Sequence, residues 1–128
     1  MKSLYDAFDR GDIPATLRGL SHYVELVSTG PAVIPWSGIR KGHDGAVEFF
    51  TALDGSTEFE KYERNDFLAE GDQVLVRGRT AGLVKSTGRR FDTEWVHVYT
   101  FADGKVTRFQ EFYDTAAILA ALPESSRG

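Results

Sequence analysis

The chain has 128 residues, 19 Asp plus Glu against 15 Lys plus Arg, a net charge of -4 and no cysteine. That length suits one domain that can bury a core without metal or disulfide staples. The missing cysteine excludes a disulfide framework, a thiolate zinc site and a cysteine nucleophile, and an acidic balance with scattered basic residues argues against nucleic acid as a partner.

The first ten positions are polar and acidic where a signal peptide would carry an apolar run, and no stretch reaches membrane-spanning length, so a cytoplasmic protein without membrane contact is expected. Ser3 can cap a short helix that turns Leu4, Tyr5 and Phe8 toward a core and ends near Gly11. Asp12 before Ile13-Pro14 pairs a helix cap with an early-helix proline, and Leu17 and Leu20 continue that second helix. Tyr23 to Ser28 is rich in strand formers and predicts a first strand. Gly30 to Gly42, which contains Trp36, predicts an irregular loop. Asp44 opens a third helix in which Ala46, Phe49, Phe50 and Leu53 recur at the spacing of one buried helical face, with Gly55 as its stop.

From Phe59 onward the pattern changes to long alternating strands. Phe59 to Glu70 and Gln73 to Val84 flank a Gly71-Asp72 turn, Arg90 to Ala102 follows Ser86-Thr87-Gly88, and Lys105 to Asp114 ends the sheet. Ala116 to Leu122 reads as a short apolar helix stopped by Pro123, and 124–128 as a frayed tail. Helices first and an antiparallel meander afterwards predict an α+β fold whose helices cover one face of a curved sheet, leaving a pocket inside the curve.

Asp103-Gly104 is a two-residue hairpin signal, because that pair accepts the positive backbone angles such a turn needs. If Ala102 pairs with Lys105 and the ladder runs on unbroken, His97 lies opposite Gln110, Trp95 opposite Phe112 and Thr93 opposite Asp114. Directly paired side chains share a face. Trp95, His97, Tyr99, Gln110, Phe112 and Asp114 are then expected on one side of the sheet, with Trp36 as a further pocket wall. In that setting the Asp114 carboxylate is either desolvated among aromatics and poised to move a proton, or a cap on the following helix. His97 is either an acid/base group or a neutral ring bonded to Gln110. A one-residue slip of register would turn His97 and Trp95 to the side opposite Asp114.

The other features read as structure. His22 and His43 lack metal-ligand spacing, so neither a metal nor another cofactor is expected. Arg77 and Arg79 alternate along one strand as a solvated or dimer-facing surface, and Gly71, Gly88 and Gly104 sit in turns rather than in a phosphate loop.

The order of elements, with Phe8-Asp9-Arg10-Gly11-Asp12-Ile13, Trp36-Ser37-Gly38, Gly42, Asp103-Gly104-Lys105-Val106 and Glu111-Phe112-Tyr113-Asp114, resembles the SnoaL-like branch of the nuclear-transport-factor-like, or ketosteroid isomerase-like, superfamily along nearly the whole chain. The resemblance implies a cone-shaped domain with a deep apolar pocket, and commonly a homodimer. Its members include polyketide cyclases, isomerases, epoxide hydrolases and dehydratases, so the fold does not select a reaction. Asp114 matches the aspartate that SnoaL-like cyclases use as acid/base at the end of the last strand. Ser21-His22-Tyr23 stands where relatives often carry an acidic pair.

The expectation is therefore a cofactor-free acid/base enzyme of cyclase, isomerase or dehydratase type acting on a small apolar oxygenated molecule. Asp114 and His97 would be catalytic, and Trp95, Tyr99, Gln110, Phe112 and Trp36 would bind substrate. The alternatives are a non-catalytic homodimeric carrier of a small apolar ligand, and an interaction domain that pairs through an outer sheet face bearing Val96, Val98, Phe109 and Tyr113.

Overall fold

The Asp103-Gly104 turn forms as expected, with φ of 53° and 76° at its two central residues, values that place both in the left-handed region and suit a mirror-image hairpin turn. In the computed structural model, which describes residues 2–123, this hairpin lies at the centre of the architecture. The chain runs α1 (Lys2–Asp9), α2 (Ile13–Arg18), β1 (Leu20–Ser28), β2 (Gly38–Lys41), α3 (Gly42–Ser56), β3 (Thr57–Glu70), β4 (Gln73–Val84), β5 (Arg90–Ala102), β6 (Lys105–Tyr113) and α4 (Thr115–Ala121). The expected capping by the Ser3 side chain and the expected frayed tail at 124–128 lie outside the described residues.

The six strands form one sheet in the order β2-β1-β6-β5-β4-β3. All neighbours are antiparallel except β1 and β6, which run parallel. The sheet is curved and unclosed, and the helices lie on its inner side, where Ala46 and Phe49 of α3 join Val24 and Leu26 of β1 in the core. The α+β class is thus as expected.

Four local expectations are corrected. Leu20 starts β1 instead of continuing α2, because Gly19 closes the helix and its carbonyl accepts the Val106 amide at 2.9 Å, drawing the chain into register with β6. Part of the predicted loop is strand: β2 pairs with β1 through Val27 opposite Ile39. Gly55 lies within α3, which runs on to Ser56. The last strand ends at Tyr113, and Asp114 stands outside it.

The consequential correction is in β6. Phe101 pairs with Val106, but Thr100 pairs with Arg108, so Thr107 is an extra residue bulged out of the ladder. A single inserted residue turns every later side chain to the other face. His97 therefore lies opposite Glu111, and Trp95 opposite Tyr113. Phe109, Glu111 and Tyr113 point into the cone; Gln110 and Phe112 point outward with Val96 and Val98. The expected interaction face is corrected accordingly, since Phe109 and Tyr113 are not on it.

Candidate active site

Strand β5 supplies the spine of the inner face. Its alternate residues Thr93, Trp95, His97 and Tyr99 are all buried. Trp95 stacks on His97 with ring centroids 3.9 Å apart, and its indole Nε1 donates to Thr80 Oγ1 at 2.8 Å. Stacking on one side and the Phe109 ring edge on the other, at 5.0 Å, hold the imidazole in one plane.

The bulge brings Glu111 beside it. Glu111 Oε2 lies 3.6 Å from His97 Nε2, and the Glu111 side chain is 13 % exposed. Ser28 Oγ donates to Glu111 Oε1 at 2.5 Å, so strand β1 fixes one carboxylate oxygen and leaves the other turned toward the histidine. On the far side of the ring, Tyr5 Oη lies 3.4 Å from His97 Nδ1, and Tyr99 Oη donates to Tyr5 Oη at 2.8 Å. With the Tyr5 hydroxyl receiving that proton, its own is free to point at Nδ1, an arrangement in which Nδ1 accepts and the Nε2 proton faces Glu111.

Tyr5 belongs to α1, and one residue of β3 clamps that helix in place. The Arg64 guanidinium forms two bonds to Asp9, at 2.9 and 3.0 Å, and lies 4.0 Å above the Tyr5 ring and 4.7 Å from that of Tyr62. Burial pushes the Tyr5 phenol up to about 12 and raises that of Tyr99 well above the usual value, so both act as protonated hydrogen-bonding groups.

Two chambers flank the pair. The first, about 60 Å³, has Leu20, Leu26, Phe49 and Phe109 among its walls; the second, about 50 Å³, has Trp36, Phe91, Trp95 and Tyr113. His97 and Glu111 line both. An acidic group, an imidazole and aromatic walls in a largely apolar interior form a setting in which proton transfer is possible.

The structure brings His97, Trp95, Tyr99 and Trp36 to these chambers and leaves the other expected site residues elsewhere. Asp114 is exposed and caps α4, its Oδ1 accepting from Ala117 N at 3.2 Å, while its own amide donates to Thr93 Oγ1 at 2.9 Å. Phe112 is 42 % exposed on the outer face. Gln110 accepts there from Arg108. Loss of the cap makes Asp114→Ala less stable by about 1 kcal/mol in urea denaturation, with ligand binding unchanged. Glu111, Ser28, Tyr62 and Arg64 are site residues that sequence reasoning missed; an unbroken register placed Glu111 outside, and nothing local to Arg64 signals a partner in α1.

Burial is the largest influence on His97 and lowers its pKa; Glu111 opposes this and Arg64 adds to it. A histidine whose folded pKa lies below its ordinary value of 6.5 binds fewer protons folded than unfolded. Its contribution to stability is therefore complete above about pH 6.5 and is lost as pH falls below it. Melting temperature should drop below that pH in the native chain, and His97→Asn should flatten the drop.

Residues 1–109 match the SnoaL-like domain model, and the chain belongs to that family. A search of curated proteins returns no match. Among solved structures, an NTF2-like protein from Burkholderia xenovorans LB400 is 32 % identical with a TM-score of 0.87, the match covering 95 % of this chain and 92 % of the other. An NTF2-like protein of unknown function from Burkholderia pseudomallei is 25 % identical with a TM-score of 0.86, over 94 % and 92 %. TerC, co-crystallised with polyporic acid, is 28 % identical with a TM-score of 0.83, over 93 % and 92 %. The curved cone with N-terminal helices is thus the NTF2-like fold. Among the described residues no helix is long and apolar enough to cross a membrane, and no group of side chains is arranged to hold a metal ion.

Proposed function

We propose that this chain is an acid/base enzyme that moves a proton from carbon next to a carbonyl in a small, largely apolar, oxygenated molecule, as cyclases, isomerases and dehydratases of this type require. The observation that carries the reading is the partly buried Glu111 carboxylate, anchored by Ser28 on one oxygen and facing His97 with the other. In this scheme Glu111 Oε2 takes the proton. Once that oxygen is protonated its pull on the His97 Nε2 proton is weakened, and His97 can donate to the oxygen of the forming enolate. Tyr5 and Tyr99 hold the imidazole in the tautomer that allows this. Co-crystallisation of TerC with polyporic acid supports a small oxygenated organic ligand for this chain as well.

The test is solvent deuterium exchange at the central carbon of benzoylacetone, followed by proton NMR. Exchange above the buffer rate that disappears in Glu111→Gln supports the enzyme. Binding of the diketone without any acceleration supports instead the carrier reading, in which the same cavity holds a ligand and performs no chemistry.

As for partners, the outer sheet face supports a homodimer. Ile39, Phe112 and Leu68 are exposed there, 64 %, 42 % and 67 % respectively, with Val27, Val96, Val98 and Leu75 in the paired positions between them. Exposed apolar area on that scale marks an interaction surface. Sedimentation should give a dimer, and Phe112→Lys should shift it toward monomer.

A further inference from the structure

The His97-Glu111 pair sits between the two chambers, and this arrangement carries information about ligand shape. Beyond that pair, the Tyr62 hydroxyl is the one side-chain group lining the first chamber, among the described residues, that makes no hydrogen bond: the Tyr5 and Tyr99 hydroxyls engage each other, and Thr16 Oγ1 donates to the Asp12 carbonyl. The threonines of the second chamber are occupied as well, Thr80 by Trp95, Thr93 by the Asp114 amide and the Glu94 carbonyl, and Thr57 by the Leu53 carbonyl. Tyr113 differs from these threonines: its Oη is buried beside Ser28 and Trp36 without a well-formed hydrogen bond to either, a condition buried hydroxyls rarely tolerate.

Leu53 and Tyr62 line both chambers and also an outer cleft of about 290 Å³ bordered by Asp9, Ile13, Asp54 and Phe59. No hydrogen bond holds the Tyr62 hydroxyl among the described residues; its ring rests on Trp95 at 5.3 Å, Phe59 at 5.4 Å and Phe8 at 5.9 Å. Volumes of this kind hold one water per about 10–15 Å³, so each chamber alone suits only a few waters. Movement of Tyr62 toward the cleft would join them.

We propose that the two chambers are the two ends of a single binding site entered past Tyr62, and that its ligand has an enolisable, oxygen-bearing centre seated at His97 and Glu111 with an apolar group in each chamber. The group in the second chamber carries an oxygen that pairs with Tyr113 Oη. This rests on the acid/base reading for what happens at the centre, and on the cavities alone for the shape of the ligand.

The probes are acetylacetone, benzoylacetone and dibenzoylmethane, which share one enolisable centre and carry no, one and two phenyl rings. Titration calorimetry should show affinity rising about tenfold or more with each ring. Leu4→Phe, which narrows the first chamber, and Phe91→Trp, which narrows the second, should each bring dibenzoylmethane back toward the affinity of benzoylacetone. A hydroxyl on one ring of dibenzoylmethane should tighten binding to the native chain and not to Tyr113→Phe. Equal affinity for benzoylacetone and dibenzoylmethane on the native chain, with Glu111-dependent exchange intact, overturns the two-ended site and leaves the acid/base reading standing. The rise in affinity with ring number but no Glu111-dependent exchange overturns the acid/base reading and leaves the two-ended site standing.

Discussion

Glu111→Gln is expected to lower the rate of diketone exchange by about 100- to 10,000-fold, the range that a positioned general base contributes. The substitution keeps the shape of the side chain, and its amide oxygen can still accept from Ser28 Oγ, so the fold should persist and the loss should fall on the rate. With the oxygen committed to Ser28, the amide nitrogen faces His97 Nε2. Two donors cannot face each other, so the imidazole should change tautomer, with Nδ1–H now directed at Tyr5. Nitrogen NMR of the His97 ring reads this directly. Asp114→Asn is the contrasting variant, because asparagine caps a helix as well as aspartate. It should leave exchange unchanged if Glu111 is the base; a collapse of exchange in Asp114→Asn with none in Glu111→Gln would return the chemistry to the strand end.

Gly78→Ala is expected to destabilise the chain by about 3 kcal/mol or more, beyond the usual cost of an added methyl group in a packed interior. A Cβ at this position would lie 2.0 Å from the Glu63 carbonyl oxygen and 2.4 Å from the Trp95 ring. The backbone of β3 crosses close to β4 here because β3 is irregular between Arg64 and Asp66, opposite Gly78 and Arg77. Shortening Trp95 would relieve only half of the conflict, since the other half is backbone. Gly55→Ala gives the opposite sign: nothing lies within 4 Å of its Cβ position, and it sits inside α3. Alanine there should stabilise by about 0.5–1 kcal/mol. Urea denaturation of both variants tests the pair; a neutral Gly78→Ala would mean that β3 can move away from β4.

Helix and strand periods, helix caps and the Asp103-Gly104 turn are local properties, and they were legible in the sequence. Each is set by contacts within a few residues: Asp12 caps α2 through the Ala15 amide as its position before Ile13-Pro14 implies, and β4 and β5 run over the predicted residues. The inner face of β5 was legible for the same reason, because strict alternation of buried residues leaves its phase unambiguous.

Beyond that strand and Trp36 the candidate site was not legible, and for Glu111 the cause is the single bulge at Thr107. An unbroken hairpin would have carried Arg108 into the cone beside Tyr99, an unpaired cation in an apolar interior, at a cost far above that of one interrupted ladder position. The bulge sends Arg108 outward to Glu25 at 3.2 Å and lets Val106 and Phe109, three residues apart, both reach the core. Burying Arg108 was the warning that the chain itself contained. What placed the extra residue is the parallel pairing of β6 with β1, which aligns Leu26 with Phe109 and Ser28 with Glu111 across 83 residues of sequence. The sequence by itself therefore determined every element but β2, their order and one wall of the cavity. The tertiary structure decided which carboxylate faces the histidine, because strand phase after a bulge depends on a partner strand that no local pattern can specify.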